Sequence, residues 1–240
     1  MQVSFEGKVA IVTGVSGDGQ VGQTVAKALA EGGAQLAICA RKQNNVEARA
    51  KELRDAGARV FAMVGSLTDE DQVQRLIDGT VDEYGRIDVL VNLAGGLSRY
   101  KTATEHTLDD WRAEVDNNML SAFLASRAAF PHLQAAGDGV IINFTRAGQP
   151  QANMVAYNCA KAGIEALTRT LALEGRDLGI RVNAIAPGLV DTASNIAAMK
   201  PKDLNRWTKR DDIAEAVLFL ASPAASGITG QVVAVTGWGL

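Results

Sequence analysis

The run Val9-Ala10-Ile11-Val12-Thr13-Gly14-Val15-Ser16-Gly17-Asp18-Gly19-Gln20-Val21-Gly22 decides how the rest of the chain is read. Its first four residues are continuously apolar, as suits a strand covered on both faces. Glycines at 14, 17, 19 and 22 then punctuate a turn that opens into a helical pattern over residues 22–31. Backbone without side chains can turn tightly and approach a pyrophosphate, which then rests on the N-terminus of the following helix. Gly14, Ser16, Gln20, Val21 and Gly22 are therefore candidate nucleotide contacts.

Working outward, the same rhythm repeats. Short apolar, β-branched runs near residues 9–12, 35–39, 60–64, 89–91, 140–144, 181–185 and 232–235 alternate with longer amphipathic stretches. Those stretches lie near 22–31, 45–56, 70–84, 108–130, 155–177 and 212–221, and glycines at 32–33, 57, 85, 137 and 179 follow them as stops. Strict alternation implies parallel strands joined by right-handed crossovers. The expected fold is α/β: a Rossmann-type three-layer α/β/α sandwich with a seven-stranded, mostly parallel, doubly wound sheet. No linker or repeat interrupts the pattern, so one dinucleotide-binding catalytic domain over residues 1–240 is expected.

Bulk properties narrow the function classes. The 24 basic and 27 acidic residues leave a net charge of -3, which argues against nucleic acid or an anionic membrane as partner. No run approaches the roughly 18 apolar residues of a membrane span. The opening residues carry no signal-like segment, so a cytoplasmic location is expected. Cys39 and Cys159 are too few for a disulfide scaffold and are expected as buried small hydrophobes; no Cys/His cluster has metal-ligand spacing, so no metal is expected.

The end of the second strand should meet the adenosine ribose of a dinucleotide. A carboxylate there would bond both ribose hydroxyls. This chain has Ala40 and then Arg41, whose planar fork can pair with a 2′-phosphate, so NADP(H) is favoured over NAD(H). Farther on, Tyr157 and Lys161 stand four apart on a helical pattern and share one face. An ammonium beside a phenol stabilises the phenolate, which makes tyrosine usable for proton transfer beside a hydride carrier.

At these residues the chain closely resembles the classical short-chain dehydrogenase/reductases, including 3-oxoacyl-carrier-protein reductase-like members. The resemblance runs through Thr13-Gly14 and its turn, Asn92-Leu93-Ala94-Gly95, Asn118, Tyr157-Asn158-Cys159-Ala160-Lys161, and Arg181 through Pro187-Gly188 to Thr192. It implies that Tyr157 is the acid/base, that Lys161 orients the ribose, and that Asn118 holds a water of a proton relay. It also implies that Asn92, Ala94 and Gly95 line the adenine-side floor, while Pro187, Gly188, Val190 and Thr192 contact the nicotinamide end. Residues 195–207, with Ile196, Ala197, Ala198, Met199 and Trp207, are the expected substrate cover. The helices ending near Phe130 and Asp177 resemble the family's pairing helices, so a homotetramer or homodimer is expected.

Four departures stand out. The glycine turn is about two residues longer than usual, with Gln20 where a glycine lets the pyrophosphate approach. Leu93 replaces the second Asn of Asn-Asn-Ala-Gly. Ser66-Leu67 stand where an Asp would bond the adenine amino group. The family's catalytic serine is missing from Ile141-Ile142-Asn143-Phe144-Thr145-Arg146-Ala147-Gly148. Alignment from Asn143 puts Arg146 in its place; counting back from Tyr157 puts Thr145 there, and only one can face the site. Thr145, which keeps a hydroxyl, is the expected substitute.

The function expected is hydride transfer between NADP(H) and a carbonyl or secondary alcohol on a small molecule. The altered serine and turn leave an alternative, a nucleotide-binding member with weak or lost catalysis. An unrelated Rossmann protein such as a methyltransferase would have no use for the Tyr157–Lys161 pair. His106 and His132 have no partners at ligand or triad spacing, Trp111 is expected as a core anchor of its helix, and Trp238 replaces a glycine of the family's terminal Gly-Gly.

Overall fold

Seven strands form one sheet in the order β3-β2-β1-β4-β5-β6-β7. They are β1 (Val9–Thr13), β2 (Gln35–Ala40), β3 (Val60–Val64), β4 (Val89–Asn92), β5 (Gly139–Phe144), β6 (Ile180–Pro187) and β7 (Val232–Val235). Every pairing is parallel, so the sheet is wholly rather than mostly parallel. The computed structural model describes residues 3–239. Among the described residues, eight α-helices join the strands: α1 (Val21–Glu31), α2 (Gln43–Asp55), α3 (Glu70–Tyr84), α4 (Leu108–Val115), α5 (Ser121–Ala136), α6 (Val155–Gly175), α7 (Ala193–Met199) and α8 (Arg210–Ala221).

The alternation of side chains along β1 explains why the sheet needs cover on both faces. Ala10 and Val12 join a core with Val25 and Leu29 of α1, Leu53 of α2 and Val217 of α8. Ile11, between them, faces the opposite layer with Leu76 and Ile77 of α3, Leu133 of α5 and Leu171 of α6. The strand is buried at all five positions, and its first four are accordingly a continuous apolar run. Within β6 two polar residues are buried, Arg181 and Asn183; the Arg181 guanidinium donates to the Leu220, Ser222 and Ala225 carbonyls, closing the C-terminal end of α8.

Three expectations are corrected here. The single helix read over 108–130 is two helices separated by a π-helical turn, Asp116–Leu120, and the second continues to Ala136 through Pro131. Trp111 is 38% exposed on α4 and anchors no core. Cys39 is buried, and burial pushes its thiol up to about 11, but Cys159 is exposed. No described helix is long and apolar enough to cross a membrane.

The strand order reverses direction of winding between β1 and β4, and a crevice opens at the carboxyl ends of strands at such a point. Two features of the first turn hold it. The Thr13 hydroxyl accepts from the Leu93 and Ala94 amides at 3.0 and 3.1 Å and lies 3.2 Å from the Val91 carbonyl, to which it donates. Gly14 has φ of +76°, and a Cβ there would sit 2.9 Å from the Ala94 nitrogen. The two strand ends approach so closely that no side chain fits between them. Thr13→Val keeps the shape and removes the acceptor. It is expected to lower unfolding stability by about 2–3 kcal/mol in urea titration, because two amides lose their partner.

Candidate active site

The crevice contains a cavity of about 300 Å³ lined by Gly14, Ser16, Arg41, Ser66, Leu67, Ala94 and Gly95 among the expected contacts. Lys42, Asn45, Thr68, Asn117 and Ser121 also line it, and the sequence reading missed them. Arg41 and Lys42 bring two cations to its wall, and no Asp or Glu lines it. Gly22 permits the close return of the turn, since a Cβ would lie 2.7 Å from the Gly14 carbonyl oxygen. A flat base, a sugar and phosphates suit such a wall: small residues for close approach, cations for phosphate charge.

Other expected contacts lie elsewhere. Asn92 is 5% exposed and does not line the floor of this cavity; its amide donates to Ser126, Asn143 and the Ala122 carbonyl, tying β4 to β5 and α5. That correction follows from the pleat, which turns Asn92 inward while Ala94 and Gly95 continue into the crevice. Pro187, Gly188, Val190 and Thr192 carry the chain from β6 towards α7, where the Thr192 hydroxyl caps the helix by accepting from Asn195 N at 3.2 Å. The longer glycine turn is clasped to the start of α7. The Gly19 carbonyl accepts from Ala193 N at 2.9 Å, and the Gln20 side-chain oxygen accepts from the Ser194 hydroxyl at 3.0 Å. Val21 opens α1.

Tyr157, Lys161 and Asn118 converge beside the ends of β4 and β5. Lys161 is 5% exposed; its Nζ donates to the Phe144 carbonyl at 2.8 Å and lies 5.7 Å from the centre of the Tyr157 ring. Asn118 sits in the π turn with no exposure. Its Nδ2 donates to the Glu114 and Gly96 carbonyls, and its Oδ1 accepts from Gly96 N at 2.8 Å. The side chain thus reaches back one turn to the Glu114 carbonyl and bonds both backbone groups of Gly96. Gly95 is required here, because a Cβ would stand 2.6 Å from the Asn118 Oδ1.

Glu114 was not singled out from the sequence. It is fully buried, accepting from the Ser98 amide at 2.6 Å and its hydroxyl at 2.5 Å. Asp110, Glu114 and Asn118 recur every fourth residue, and that buried polar stripe on a helix was the available signal. Burial raises the Tyr157 phenol above its usual range; the Arg146 guanidinium opposes this and the Glu114 carboxylate adds to it. Burial lowers Lys161 to about 8, partly offset by Glu114. The charge that lowers the Tyr157 value is therefore Arg146, where Lys161 had been expected.

Thr145 does not meet the expectation placed on it. It is 4% exposed and its hydroxyl donates to the Lys161 carbonyl at 2.8 Å, inside the packing of α6 against the sheet. Alternation along the extended chain turns the next residue, Arg146, out of that layer. Arg146 is half-buried, donating from Nη1 to the Gln149 carbonyl at 2.8 Å and to Asn158 Oδ1 at 3.3 Å.

A family model described as enoyl-(acyl carrier protein) reductase matches residues 14–238. The chain belongs to the short-chain dehydrogenase/reductase family. The cis-4-hydroxycyclohexanecarboxylate dehydrogenase of Sinomonas cyclohexanicum is 37% identical, over 99% of this chain and 98% of the relative. A 3-oxoacyl-[acyl-carrier-protein] reductase of Thermotoga maritima is 32% identical over 97% and 98%. A solved 7α-hydroxysteroid dehydrogenase, complexed with NADH and 7-oxoglycochenodeoxycholic acid, superposes with a TM-score of 0.90 at 31% identity, covering 99% and 96%. The short-chain dehydrogenase/reductase described here is an oxidoreductase of a family that acts on alcohol and carbonyl groups.

The depressed Lys161 value has a measurable consequence. An unfolded chain holds this proton up to 10.5 and the folded one only to about 8, so folding works against the charged amine at neutral pH. Lys161→Met, measured without nucleotide, is expected to raise unfolding stability at pH 7 by about 2 kcal/mol, the lost Phe144 hydrogen bond being deducted. The wild-type protein should recover this deficit as pH rises from about 8 towards 10.5. A gain that stays constant over that window would show that charge is not its cause.

Proposed function

We propose that this enzyme moves a hydride between NADP(H) and a carbonyl or secondary alcohol, with Tyr157 as general acid/base. The observation that carries the reading is the convergence of Tyr157, Lys161 and Asn118 beside a cavity that two cations and no carboxylate line. Bound there, a nicotinamide nucleotide would supply the hydride for reduction or accept it in oxidation. Gly14, Ser16, Ser66, Leu67, Ala94 and Gly95 would hold its adenosine half, and Arg41 with Lys42 its 2′-phosphate.

Tyr157 holds a phenol proton through neutral pH, since burial raises its value, and so acts as donor to a carbonyl oxygen. Lys161, lowered to about 8, can release and regain a proton close to neutrality and replenish that donor. Asn118 holds the widened turn in place through Gly96 and Glu114, which keeps the relay aligned. Leu108, Trp111 and Phe123 on α4 and α5, and Leu173 on α6, are exposed apolar side chains that suit pairing between copies of this chain.

Three outcomes are expected. Tyr157→Phe should abolish turnover of any confirmed ketone while leaving NADPH affinity within about threefold, as it removes a proton donor and little contact area; retained activity would refute the mechanism. NADPH should bind about 10- to 100-fold tighter than NADH, with Arg41→Ala narrowing that ratio in fluorescence titration. Equal affinities in the unaltered protein would sink the NADP(H) assignment. Light scattering should give a mass at least twice that of one chain, and a monomer mass independent of concentration would overturn the pairing.

A further inference from the structure

We propose that Arg146 is a substrate-recognition residue and that the substrates are oxo acids and hydroxy acids, with a carboxylate close to the reacting carbon. The proposal rests on the dehydrogenase reading above and deepens it. Its starting point is a charge imbalance beside Tyr157. Arg146 and Glu114 are the charges that bear on Tyr157, and Glu114 bears on Lys161; Glu165, 3.5 Å from the Thr145 hydroxyl, is paired with Arg169. Glu114 is committed to the Ser98 amide and hydroxyl, and its charge favours the ammonium of Lys161. These two offset one another.

Arg146 has no such counterweight. It makes no ion pair among the described residues; its bonds go to a carbonyl and to the neutral side chain of Asn158. Both run through the single atom Nη1, which leaves Nε and Nη2 without a protein acceptor among the described residues. A guanidinium cannot shed its proton, so a half-buried one gains from any anion brought to its free edge. The chain also fixes its direction. Thr145 N and Ala147 N hold to the Ile185 and Pro187 carbonyls at 2.9 Å, which extends the β5–β6 pairing past Phe144 and locks the alternation that sends Thr145 inward.

The consequence is a division of labour within one substrate. The carboxylate takes two parallel hydrogen bonds from the guanidinium fork, and the neighbouring carbonyl oxygen faces the Tyr157 hydroxyl. Reduction leaves the carboxylate unchanged: the carbonyl carbon gains the hydride, its oxygen gains the phenol proton, and the nucleotide leaves oxidised. A neutral ketone fills the same space and leaves the guanidinium uncompensated, so acids are favoured over their esters by about 10- to 100-fold.

The test compares phenylglyoxylate, acetoacetate and levulinate with their methyl esters, in the wild-type protein, Arg146→Ser and Arg146→Lys, with NADPH and NADH supplied in turn. Wild type should favour at least one acid over its ester by tenfold or more in kcat/KM. Read as the ratio of acid to ester kcat/KM within each protein, that preference should be lost in Arg146→Ser and partly retained in Arg146→Lys. A second readout needs neither turnover nor a variant. In nucleotide-saturated wild-type protein, calorimetry should show the acids binding tighter than the esters, an advantage that added sodium chloride diminishes. Equal handling of acids and esters overturns the proposal and leaves the dehydrogenase reading standing, as does an acid preference that survives in Arg146→Ser. Absence of acid binding to the nucleotide-saturated protein also overturns it. Loss of nucleotide binding itself, by contrast, would overturn the reading on which it rests.

Discussion

The short contact between the ends of β1 and β4 is the constraint on which the rest of the molecule depends. Thr13 supplies one oxygen to two amides of the neighbouring strand end, and Gly14 lets the backbones meet with no side chain between them. Because these strands belong to opposite windings of the sheet, fixing their separation fixes the width of the crevice. The glycine turn, Ala94 and Gly95 are then presented to the same space from two sides. Gly95 in turn is pressed against Asn118, so the cavity wall and the π turn share one rigid frame.

That frame encloses two titratable groups, and burial holds Lys161 below its ordinary range. Lys161 and Glu114 are buried, yet each is bonded: one to a strand carbonyl, the other to a loop amide and hydroxyl. Asn118 lies within the π turn, and its amide reaches back to the Glu114 carbonyl and across to Gly96. One amide thereby ties the turn to the loop after β4.

Much of the fold was legible because its evidence is periodic. Continuous apolar runs such as 9–12, recurring between amphipathic stretches, suit doubly covered strands, and the seven strands follow, with ends displaced by at most two residues. What escaped was whatever depends on a single residue of register. Thr145 and Arg146 are neighbours in an extended segment, and one step in alignment exchanges the core for the site. The side chains of Trp111 and Cys159 lie on helices whose apolar pattern does not say how deep each face is set. Asn92 was read with Ala94 and Gly95 as one motif, although the pleat sends it the other way. Glu114 was passed over because a carboxylate inside a helix ordinarily faces water, and only its spacing from Asp110 and Asn118 says otherwise.

The clasp between the glycine turn and α7 joins two parts that protein engineers usually treat as separate modules. Gly19 and Gln20 belong to the glycine turn after β1, while Ala193 and Ser194 open α7. A graft that exchanged that segment for a relative's would cut two hydrogen bonds into the turn, and with them part of what keeps the longer loop in shape. Transplantable boundaries in this chain therefore lie after Ser194, not at the end of β6, and variation upstream of that point is shared property of both halves.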